Sequence, residues 1–279
     1  MIQIHSKVPA KINIGLFITG KRNDGYHSIE TVFYPVRIYD ELIISKSDIF
    51  LFSTNSASLS GDYTNNLVFK AVKLLANEVF EKDLPVSIRL NKSIPMGAGL
   101  GGGSADAAFT LKAVNRLLNL KIPAERLKQL ALKIGSDVPF FLNPRPHFGS
   151  SRGEVLIPLN FSLGKPLLIV NPGIHVSTKW AYEHCTPTPA PFDLRKLDGF
   201  NGNDIATLNN YVHNDFEEIV CKNFQQIAEL RYELNKSHAI YVSMSGSGST
   251  FFAVYNDVAT AKKAYEQFSG KYFTHLEGV

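Results

Sequence analysis

The segment from Pro95 to Ala108, PMGAGLGGGSADAA, has the residue types of a phosphate-binding loop, with five glycines between Gly97 and Gly103. Because glycine lacks a Cβ atom, the backbone amides of such a loop can approach a ligand closely and adopt positive φ angles. The apolar spacing that follows predicts a helix, with Ser104 as its N-cap. Free amides that lead into a helix N-terminus favour an anion. We therefore predict a phosphate site, with a flexible turn as the alternative.

Other phosphate-binding motifs do not describe this segment. It lacks the Gly-Lys-Ser/Thr ending of a Walker A loop, and its glycines do not follow the dinucleotide-binding spacing with an acidic residue about 20 positions later. The His-Arg-Asp and Asp-Phe-Gly motifs of protein kinases do not occur in the chain. The chemistry of the loop must therefore be defined by residues elsewhere in the sequence.

Two charged side chains are candidates for that chemistry. Lys11 lies in the strand-like segment PAKINIGLFITG, with Asn13 two residues on and on the same face. A solvated lysine at a sheet edge is the alternative explanation. Asp137 follows Gly135-Ser136 and precedes an apolar segment. We expect it to act as a general base or a charge-positioning carboxylate, or else to cap the helix that follows.

An aromatic pair, Tyr26-His27, follows the turn sequence Arg22–Gly25. Side chains placed directly after a turn can project into a cleft, and plain packing is the alternative. Before the turn, alternating apolar and polar residues predict strands over 2–17, with Pro9 as a break between them. The turn therefore connects predicted strands.

Apolar spacing along the rest of the chain predicts a mixture of helices and strands. We expect one helix to be capped by Thr64 or Asn65 and to run to about Phe80. The Pro-, Thr- and Asn-rich segment from Pro172 to Asn203 predicts an irregular loop or a lobe boundary. Further helices are predicted over 123–134, 215–220, 224–234 and 258–268, and further strands over 29–36, 86–90, 167–170, 241–244 and 250–255.

The composition is that of an ordinary globular protein, with 44% hydrophobic and 19% charged residues in 279. The net charge of +4 is dispersed, which excludes a dedicated nucleic-acid-binding protein. Cys185 and Cys221 lack the spacing of a zinc site or a disulfide framework and fit a reducing, cytoplasmic location. Neither a signal-peptide pattern nor an apolar run of about 18 residues is found, so we expect a soluble, unprocessed protein with no membrane partner.

Three motifs stand in a fixed order along the chain: PAKINIGLFITGKRNDGYH, PMGAGLGGGSADAA and MSGSGSTFF. Together they resemble the GHMP small-molecule kinase superfamily, named for its galacto-, homoserine, mevalonate and phosphomevalonate kinases. Four shorter pieces, Pro9–Asn13, Asp24–His27, Gly135–Pro139 and Arg152–Glu154, resemble the branch that acts on a cytidine-diphosphate methylerythritol. The similarity runs over most of the chain.

The resemblance implies a two-lobed α+β fold with the active site between the lobes. The N-terminal lobe, over residues 1–155, is ribosomal-S5-like, and the C-terminal lobe, over residues 156–279, is ferredoxin-like. The implied reaction transfers the γ-phosphoryl group of ATP, with Mg²⁺, to the 2-hydroxyl of the methylerythritol unit in non-mevalonate isoprenoid biosynthesis. No nucleic-acid or membrane partner is implied, and we expect a monomer or weak homodimer.

By position, the resemblance makes Lys11 and Asp137 the catalytic pair. An aspartate can accept the proton of a tertiary alcohol while a lysine stabilises the charge of the carboxylate and of the transferring phosphoryl group. The resemblance assigns no metal ligand. The implied ATP-binding residues are Pro95, Met96, Gly97, Ala98, Gly99, Leu100, Gly101, Gly102, Gly103, Ser104, Asn66, Leu67, Lys70 and Lys92.

The resemblance places Asn13, Tyr26 and His27 on the cytidine side of the site. An aromatic ring can stack on cytosine, and a fixed set of donors and acceptors can reject uracil, which Tyr26 and His27 are able to supply. For the opposite wall of the cytidine pocket, we expect His175 or Trp180. His175 is therefore included among the substrate-binding residues.

Two other functions stay open from the sequence. One keeps the fold and takes homoserine, mevalonate or a sugar as the acceptor, and the Asp24–His27 turn argues against it. The other is a nucleotide-binding regulator without turnover. The presence of both Lys11 and Asp137 argues against a regulator, because a sensor does not need a catalytic pair.

Overall fold

The computed structural model describes residues 2–60, 63–203 and 205–278, which fold into an α+β structure with two sheets. This confirms the expected fold class. The strands are β1 (Gln3–Lys21), β2 (His27–Lys46), β3 (Leu51–Thr54), β4 (Val86–Asn91), β5 (His147–Ser150), β6 (Val155–Pro158), β7 (Leu167–Asn171), β8 (Tyr241–Met244), β9 (Phe251–Val254) and β10 (Phe273–Glu277). The helices are α1 (Ala57–Ser60), α2 (Leu67–Glu78), α3 (Gly102–Leu117), α4 (Ala124–Ile134), α5 (Val138–Phe141), α6 (Thr178–His184), α7 (Asp215–Asn223), α8 (Gln225–Lys236) and α9 (Val258–Ser269). Short 3-10 helices span Leu194–Leu197 and Ile205–Asn210.

The chain divides into two compact units, each of which is assembled from separate segments. Strands β1 and β2 and the glycine-rich loop contribute residues to both units. None of the helices in the described ranges is long and apolar enough to cross a membrane. Unit 1 comprises the described residues of 1–10, 36–96 and 101–144, and unit 2 comprises those of 11–35, 97–100 and 145–279.

Unit 1 combines part of a sheet with a group of helices. The second half of β2 pairs antiparallel with β4, with Glu41 opposite Asn91, and β3 lies parallel to β4. Helices α2, α3, α4 and α5 pack against one another. The buried residues of α2 and α3 recur with helical spacing and include Val68, Ala71, Val72, Leu75, Ala107, Leu111 and Val114.

Unit 2 contains a four-stranded sheet over its described residues, in the order β10-β7-β9-β8, with all neighbours antiparallel. The first part of β2 also pairs with β5, with Thr31 opposite Gly149, and β5 pairs with β6. One hydrophobic core joins the four-stranded sheet to α7, α8 and α9, and it includes Leu168, Val170, Phe216, Val220, Ile227, Leu230, Phe251, Ala261 and Phe268.

The N-terminal ends of α2 and α3 differ from the sequence prediction. Asn66, rather than Thr64 or Asn65, caps α2, because its Oδ1 accepts a 2.9 Å hydrogen bond from Val68 N. Helix α3 begins at Gly102 after Gly101, whose φ of 70° is left-handed, so the prediction of Ser104 as N-cap is wrong. No side chain caps α3 among the described residues, which leaves its first amides available to a ligand.

Two further segments depart from the expected pattern. Strand β1 continues through Pro9, so the predicted break is wrong, since a strand tolerates proline where the ladder does not need its N–H. The segment expected to be irregular contains α6, which Ser177 caps through a 3.3 Å bond from Trp180 N. The predicted turn before Tyr26 is confirmed, with Arg22 N donating to Tyr26 O at 2.8 Å.

Candidate active site

The central part of the glycine-rich loop lies against the MSGSGSTFF motif of unit 2. Gly99 has a φ of +77°, and a Cβ atom there would lie 2.0 Å from the carbonyl oxygen of Ser245. Only glycine fits this position, because any side chain would collide with backbone and strain the left-handed conformation. The second and third sequence motifs therefore meet by backbone contact.

Lys11 is directed into this contact and is only 3% exposed. Its Nζ donates to Asn13 Oδ1 at 2.6 Å and to the carbonyl oxygen of Gly99 at 3.0 Å. Its backbone N–H donates to Leu100 O at 3.0 Å. The alternative of a solvated edge lysine is therefore wrong, and the first motif joins the loop as well.

Two buried hydroxyl groups hold Asn13 in place. Its Nδ2 donates to Thr31 Oγ1 at 2.9 Å, and the Thr31 hydroxyl donates in turn to Gly15 O at 2.6 Å. The backbone N–H of Asn13 donates to Ser245 Oγ at 3.2 Å. Because the amide nitrogen is used by Thr31, the amide oxygen faces Lys11. Sequence reasoning missed Thr31 and gave Ser245 only as part of the MSGSGSTFF motif.

The turn that precedes Tyr26-His27, and Tyr26 itself, contact the segment around Arg152–Glu154. Arg22 Nη1 donates to Ser151 Oγ at 3.0 Å. The guanidinium carbon of Arg152 lies 4.7 Å from the centre of the Tyr26 ring, a cation–π contact. Tyr26 is nevertheless 53% exposed, so much of its surface is open to a ligand.

His27 stacks on Tyr182 of α6, with ring centres 4.8 Å apart and planes at 17°. Tyr182 is supported edge-on by Phe216 at 4.9 Å. Burial lowers the pKa of His27, and the charge of Lys21 lowers it further. His27 is therefore a neutral imidazole at pH 7, with one donor and one acceptor nitrogen.

His175 and Trp180, the two candidates for the opposite wall of the cytidine pocket, both lie in unit 2. A Cβ atom at Gly97 would lie 2.5 Å from Nδ1 of His175, so His175 borders the glycine-rich loop. Trp180 stacks on His184 with ring centres 4.6 Å apart. Tyr182 is two positions beyond Trp180 and lies on another side of α6. The contact of Tyr182 with His27 was missed because no helix was predicted in this segment.

Several predicted ATP-binding residues come together at the first turns of α2 and α3 in unit 1. Asn66 caps α2, and Lys70 N donates to Asn66 O at 3.0 Å. A Cβ atom at Gly103 would lie 3.6 Å from Leu67 Cδ1. The Nδ2 atom of Asn66 is buried and has no hydrogen-bond partner among the described residues. The side-chain amide of Asn66 can therefore donate a hydrogen bond to a ligand.

Lys92, at the end of β4, is held by two carboxylates of unit 1. Its Nζ makes a short contact with Asp40 and lies 2.7 Å from Asp106 Oδ2. Burial alone lowers the pKa of Lys92, but the charges of Asp106 and Asp40 outweigh burial and raise it. Burial raises the pKa of Asp106 to about 7, in opposition to the effect of Lys92. Sequence reasoning missed both aspartates.

Asp137 immediately precedes the short helix α5 and is partly buried. Its side chain makes no capping hydrogen bond to that helix, so helix capping does not explain it. No group of three or more His, Cys, Asp or Glu residues within 2–60, 63–203 and 205–278 is arranged to hold a metal ion.

The α+β fold and the three sequence motifs place the chain in a class of small-molecule kinases. The model of the GHMP kinases N terminal domain matches residues 66–144, which include Asn66, the glycine-rich loop and Asp137. The model of the GHMP kinases C terminal domain matches residues 195–274. The chain belongs to the GHMP kinase family, as the three motifs predicted.

Curated relatives in this family are named 4-diphosphocytidyl-2-C-methyl-D-erythritol kinase. The relative from Chlorobium phaeobacteroides is 40% identical over 274 residues, which cover 96% of this chain and 94% of the relative. The relative from Bacteroides fragilis is 41% identical over 252 residues, covering 88% and 90%. A crystal structure of 4-(cytidine 5'-diphospho)-2C-methyl-D-erythritol kinase is 30% identical, has a TM-score of 0.79 and covers 98% of each chain.

Proposed function

We propose that the protein phosphorylates the 2-hydroxyl of 4-diphosphocytidyl-2-C-methyl-D-erythritol with ATP. The names of relatives that match nearly the full chain support this acceptor. The observation that carries the proposal is the 3.0 Å hydrogen bond from Lys11 Nζ to Gly99 O. It joins the proposed catalytic cation to the proposed phosphate loop, as transfer of a phosphoryl group requires.

The ATP phosphates are proposed to bind the loop from Pro95 to Ser104. Amides of the glycines and the uncapped first turn of α3 offer donors to an anion. The adenine and ribose are proposed to bind near Asn66, Leu67 and Lys70. The buried, unpartnered Nδ2 of Asn66 supports this, because a ligand acceptor would remove the cost of an unsatisfied buried donor.

Magnesium is proposed to accompany ATP. Mg²⁺ in phosphoryl-transfer enzymes is commonly held by substrate phosphates with few protein carboxylates. This mode needs no cluster of acidic protein ligands. The ion supplies charge neutralisation on the phosphates when bound.

Lys11 and Asp137 are proposed as the catalytic pair. A tertiary alcohol is a weak nucleophile, so Asp137 is assigned to accept its proton. The ammonium of Lys11 is assigned to stabilise charge on the transferring phosphoryl group. Because the transition state of phosphoryl transfer is loose, orientation of the reactants contributes along with proton removal.

The cytidine is proposed to bind at Tyr26, His27 and Tyr182, with Asn13 on the same side. The aromatic rings provide a stacking surface, and neutral His27 provides one donor and one acceptor for the edge of cytosine. We assign His175 to contact the ligand from the side of the glycine-rich loop, because it borders Gly97.

We place the reaction in non-mevalonate isoprenoid biosynthesis in the cytoplasm. The free thiols of Cys185 and Cys221 fit a reducing compartment. That the protein is a monomer or weak homodimer stays a prediction. That it has no nucleic-acid partner stays a prediction as well. Light scattering of the purified protein across a range of concentrations tests the oligomeric state.

The direct test is incubation of the purified protein with ATP, magnesium and 4-diphosphocytidyl-2-C-methyl-D-erythritol. We expect equal amounts of ADP and of a new phosphomonoester, and neither without the acceptor. Parallel reactions contain homoserine, mevalonate or a sugar. A phosphorylated product only from one of those acceptors would overturn the proposal, and ATP binding with no product from any acceptor would favour a regulator.

A further inference from the structure

Asp40, Lys92 and Asp106 form a buried charge cluster at the two ends of the glycine-rich loop. Lys92 precedes the loop, and Asp106 lies in the second turn of α3, which follows it. The Lys92 side chain is 7% exposed, and the side chains of Asp40 and Asp106 are 0% and 3% exposed. The ammonium group of Lys92 therefore joins the entry and the exit of the loop within unit 1.

Asp40 also holds the backbone that enters the loop. Its Oδ1 accepts hydrogen bonds from Ser93 N at 2.6 Å and from Ile94 N at 2.9 Å. Its Oδ2 contacts the Lys92 ammonium. One carboxylate on β2 thus orients three consecutive residues immediately before Pro95. Charge-assisted bonds of this kind are stronger than those between neutral groups.

The first turn of α3 lies close to the same cluster. A Cβ atom at Gly102 would lie 2.9 Å from Ile94 Cγ2 and 3.2 Å from Lys92 Nζ. The helix that offers its amides to an anion is therefore placed directly against the residues that Asp40 orients. A shift of Lys92 would move or loosen this contact.

A contribution to stability does not by itself explain the cluster. Two carboxylates share one ammonium, and Oδ1 of Asp106 is buried without a hydrogen-bond partner in the described part of the chain. Buried ion pairs commonly add little net stability, and an unsatisfied buried oxygen subtracts from it. What such a cluster does provide is a fixed geometry, since its charges restrain one another strongly.

We propose that Asp40 and Asp106 are positioning residues for ATP binding, which hold Lys92 as a bridge between the two ends of the glycine-rich loop. Lys92 then acts on the nucleotide through the shape of the loop, because its ammonium is occupied by the two carboxylates. A loop fixed before binding loses less conformational entropy when it closes on phosphates. This inference rests on the proposed use of ATP and is independent of which acceptor is phosphorylated.

The test compares Asp106→Ala, Asp106→Asn and a control, Asp83→Asn. Asp83 forms an exposed pair with Lys73 at 2.5 Å, also in unit 1, so the control breaks a lysine–aspartate pair away from the loop. Calorimetric titration with ATP, without acceptor, measures the dissociation constant of each full-length protein. Steady-state kinetics then measure kcat and the KM values of ATP and of the cytidine substrate, and thermal unfolding measures stability.

We expect Asp106→Ala to raise the dissociation constant and the KM of ATP about tenfold, since small displacements of binding groups have large effects. The KM of the cytidine substrate should stay within about twofold. Asp106→Asn, which keeps an oxygen for Lys92, should have an intermediate effect, and Asp83→Asn should match the wild type. If Asp106→Ala does not fold, Asp106→Asn must show the same selective loss of ATP affinity.

An ATP affinity unchanged in the Asp106 variants, or an equal rise in both KM values, would overturn the positioning role. A wild-type protein that binds ATP and does not phosphorylate the cytidine substrate would overturn the proposed acceptor alone. In that case the titrations with ATP still decide the role of Asp106. A wild-type protein that does not bind ATP would overturn both.

Discussion

The Ser245 hydroxyl donates a 2.9 Å hydrogen bond to the carbonyl oxygen of Gly99. The same hydroxyl accepts from Asn13 N at 3.2 Å, and the same carbonyl accepts from Lys11 Nζ at 3.0 Å. Ser245 has no exposed surface. One buried hydroxyl therefore connects strand β1 with the glycine-rich loop, and it holds the oxygen to which the proposed catalytic lysine donates.

Ser245→Ala should weaken catalysis as well as the fold. The change leaves the backbone N–H of Asn13 without its acceptor and removes a donor from Gly99 O. The loss should lower the free energy of unfolding by about 1–3 kcal/mol. We expect kcat/KM for ATP to fall about tenfold. The control is Ser237→Ala, whose hydroxyl bonds to Leu234 O and Tyr255. If both variants lose activity and thermal stability in parallel, Ser245 has no special part in the site.

Gly99→Ala should abolish ATP binding, because its Cβ would lie 2.0 Å from Ser245 O in a left-handed conformation. We expect a loss of about 1–3 kcal/mol of stability as the loop or the turn moves away. Gly270→Ala is the matched control, with a φ of −77° and no atom within 4 Å of the added Cβ. Calorimetric titration with ATP makes the comparison. Normal ATP affinity in Gly99→Ala would show that the close approach of the two motifs is not needed.

Asp137→Asn should reduce kcat by about a hundredfold or more while ATP still binds, because an amide cannot accept the proton of the acceptor hydroxyl. The substitution keeps the size of the side chain, so the fold should be retained. Single-turnover measurements of phosphoryl transfer give the chemical rate, and thermal unfolding monitors the fold. Turnover close to that of the wild type would remove Asp137 from the mechanism.

Tyr182→Ala should raise the KM of the cytidine substrate about tenfold and leave the KM of ATP nearly unchanged. The reason is that Tyr182 supports the His27 ring by stacking at 4.8 Å. Tyr182→Phe keeps that ring and its edge contact with Phe216, so the part of the rise in KM that comes from lost stacking should be absent in this variant. Tyr26→Ala should show the same selectivity for the cytidine substrate. Equal effects of Tyr182→Ala on both substrates would contradict a role in cytidine binding.

The pH dependence of stability should reveal the buried carboxyl of Asp106. Its pKa is raised in the folded protein to about 7, from about 3.9 for an aspartate in an unfolded chain. The folded state therefore binds the proton more tightly. The stabilisation is complete below about pH 4 and is lost as the pH rises through about 7.

Asp106→Asn removes this titration. The free energy of unfolding of the variant minus that of the wild type should increase between pH 5 and 8 by on the order of a few kcal/mol. Chemical denaturation at several pH values measures the difference, and Asp83→Asn provides the control for an exposed pair. A constant difference across this range would show that Asp106 is ionised throughout.

Local sequence patterns predicted much of the secondary structure. Helix α9, predicted over 258–268, is capped by Asp257, whose Oδ1 accepts from Thr260 N at 2.8 Å. Helix α4, predicted over 123–134, buries Leu127, Leu130 and Ala131 on one face. These features depend on contacts within a few residues, so the spacing of apolar and polar side chains is sufficient to find them.

Helix starts were less predictable where neighbouring residues compete. Thr64, Asn65 and Asn66 are all able to cap a helix, and the structure selects Asn66. At α3 the left-handed Gly101 starts the helix before Ser104 is reached. Which residue begins each helix depends on how that helix packs in unit 1. Local propensity carries no information on this packing.

The sequence by itself determined the family, the glycine-rich loop and the candidates Lys11 and Asp137. Only the tertiary structure decided the partners: Ser245 lies 232 positions from Asn13, and Asp40 lies 52 positions from Lys92. It also decided that Tyr182 stacks on His27. Partners so distant in the chain are chosen by the path of the backbone, and that path is determined by packing of the whole core.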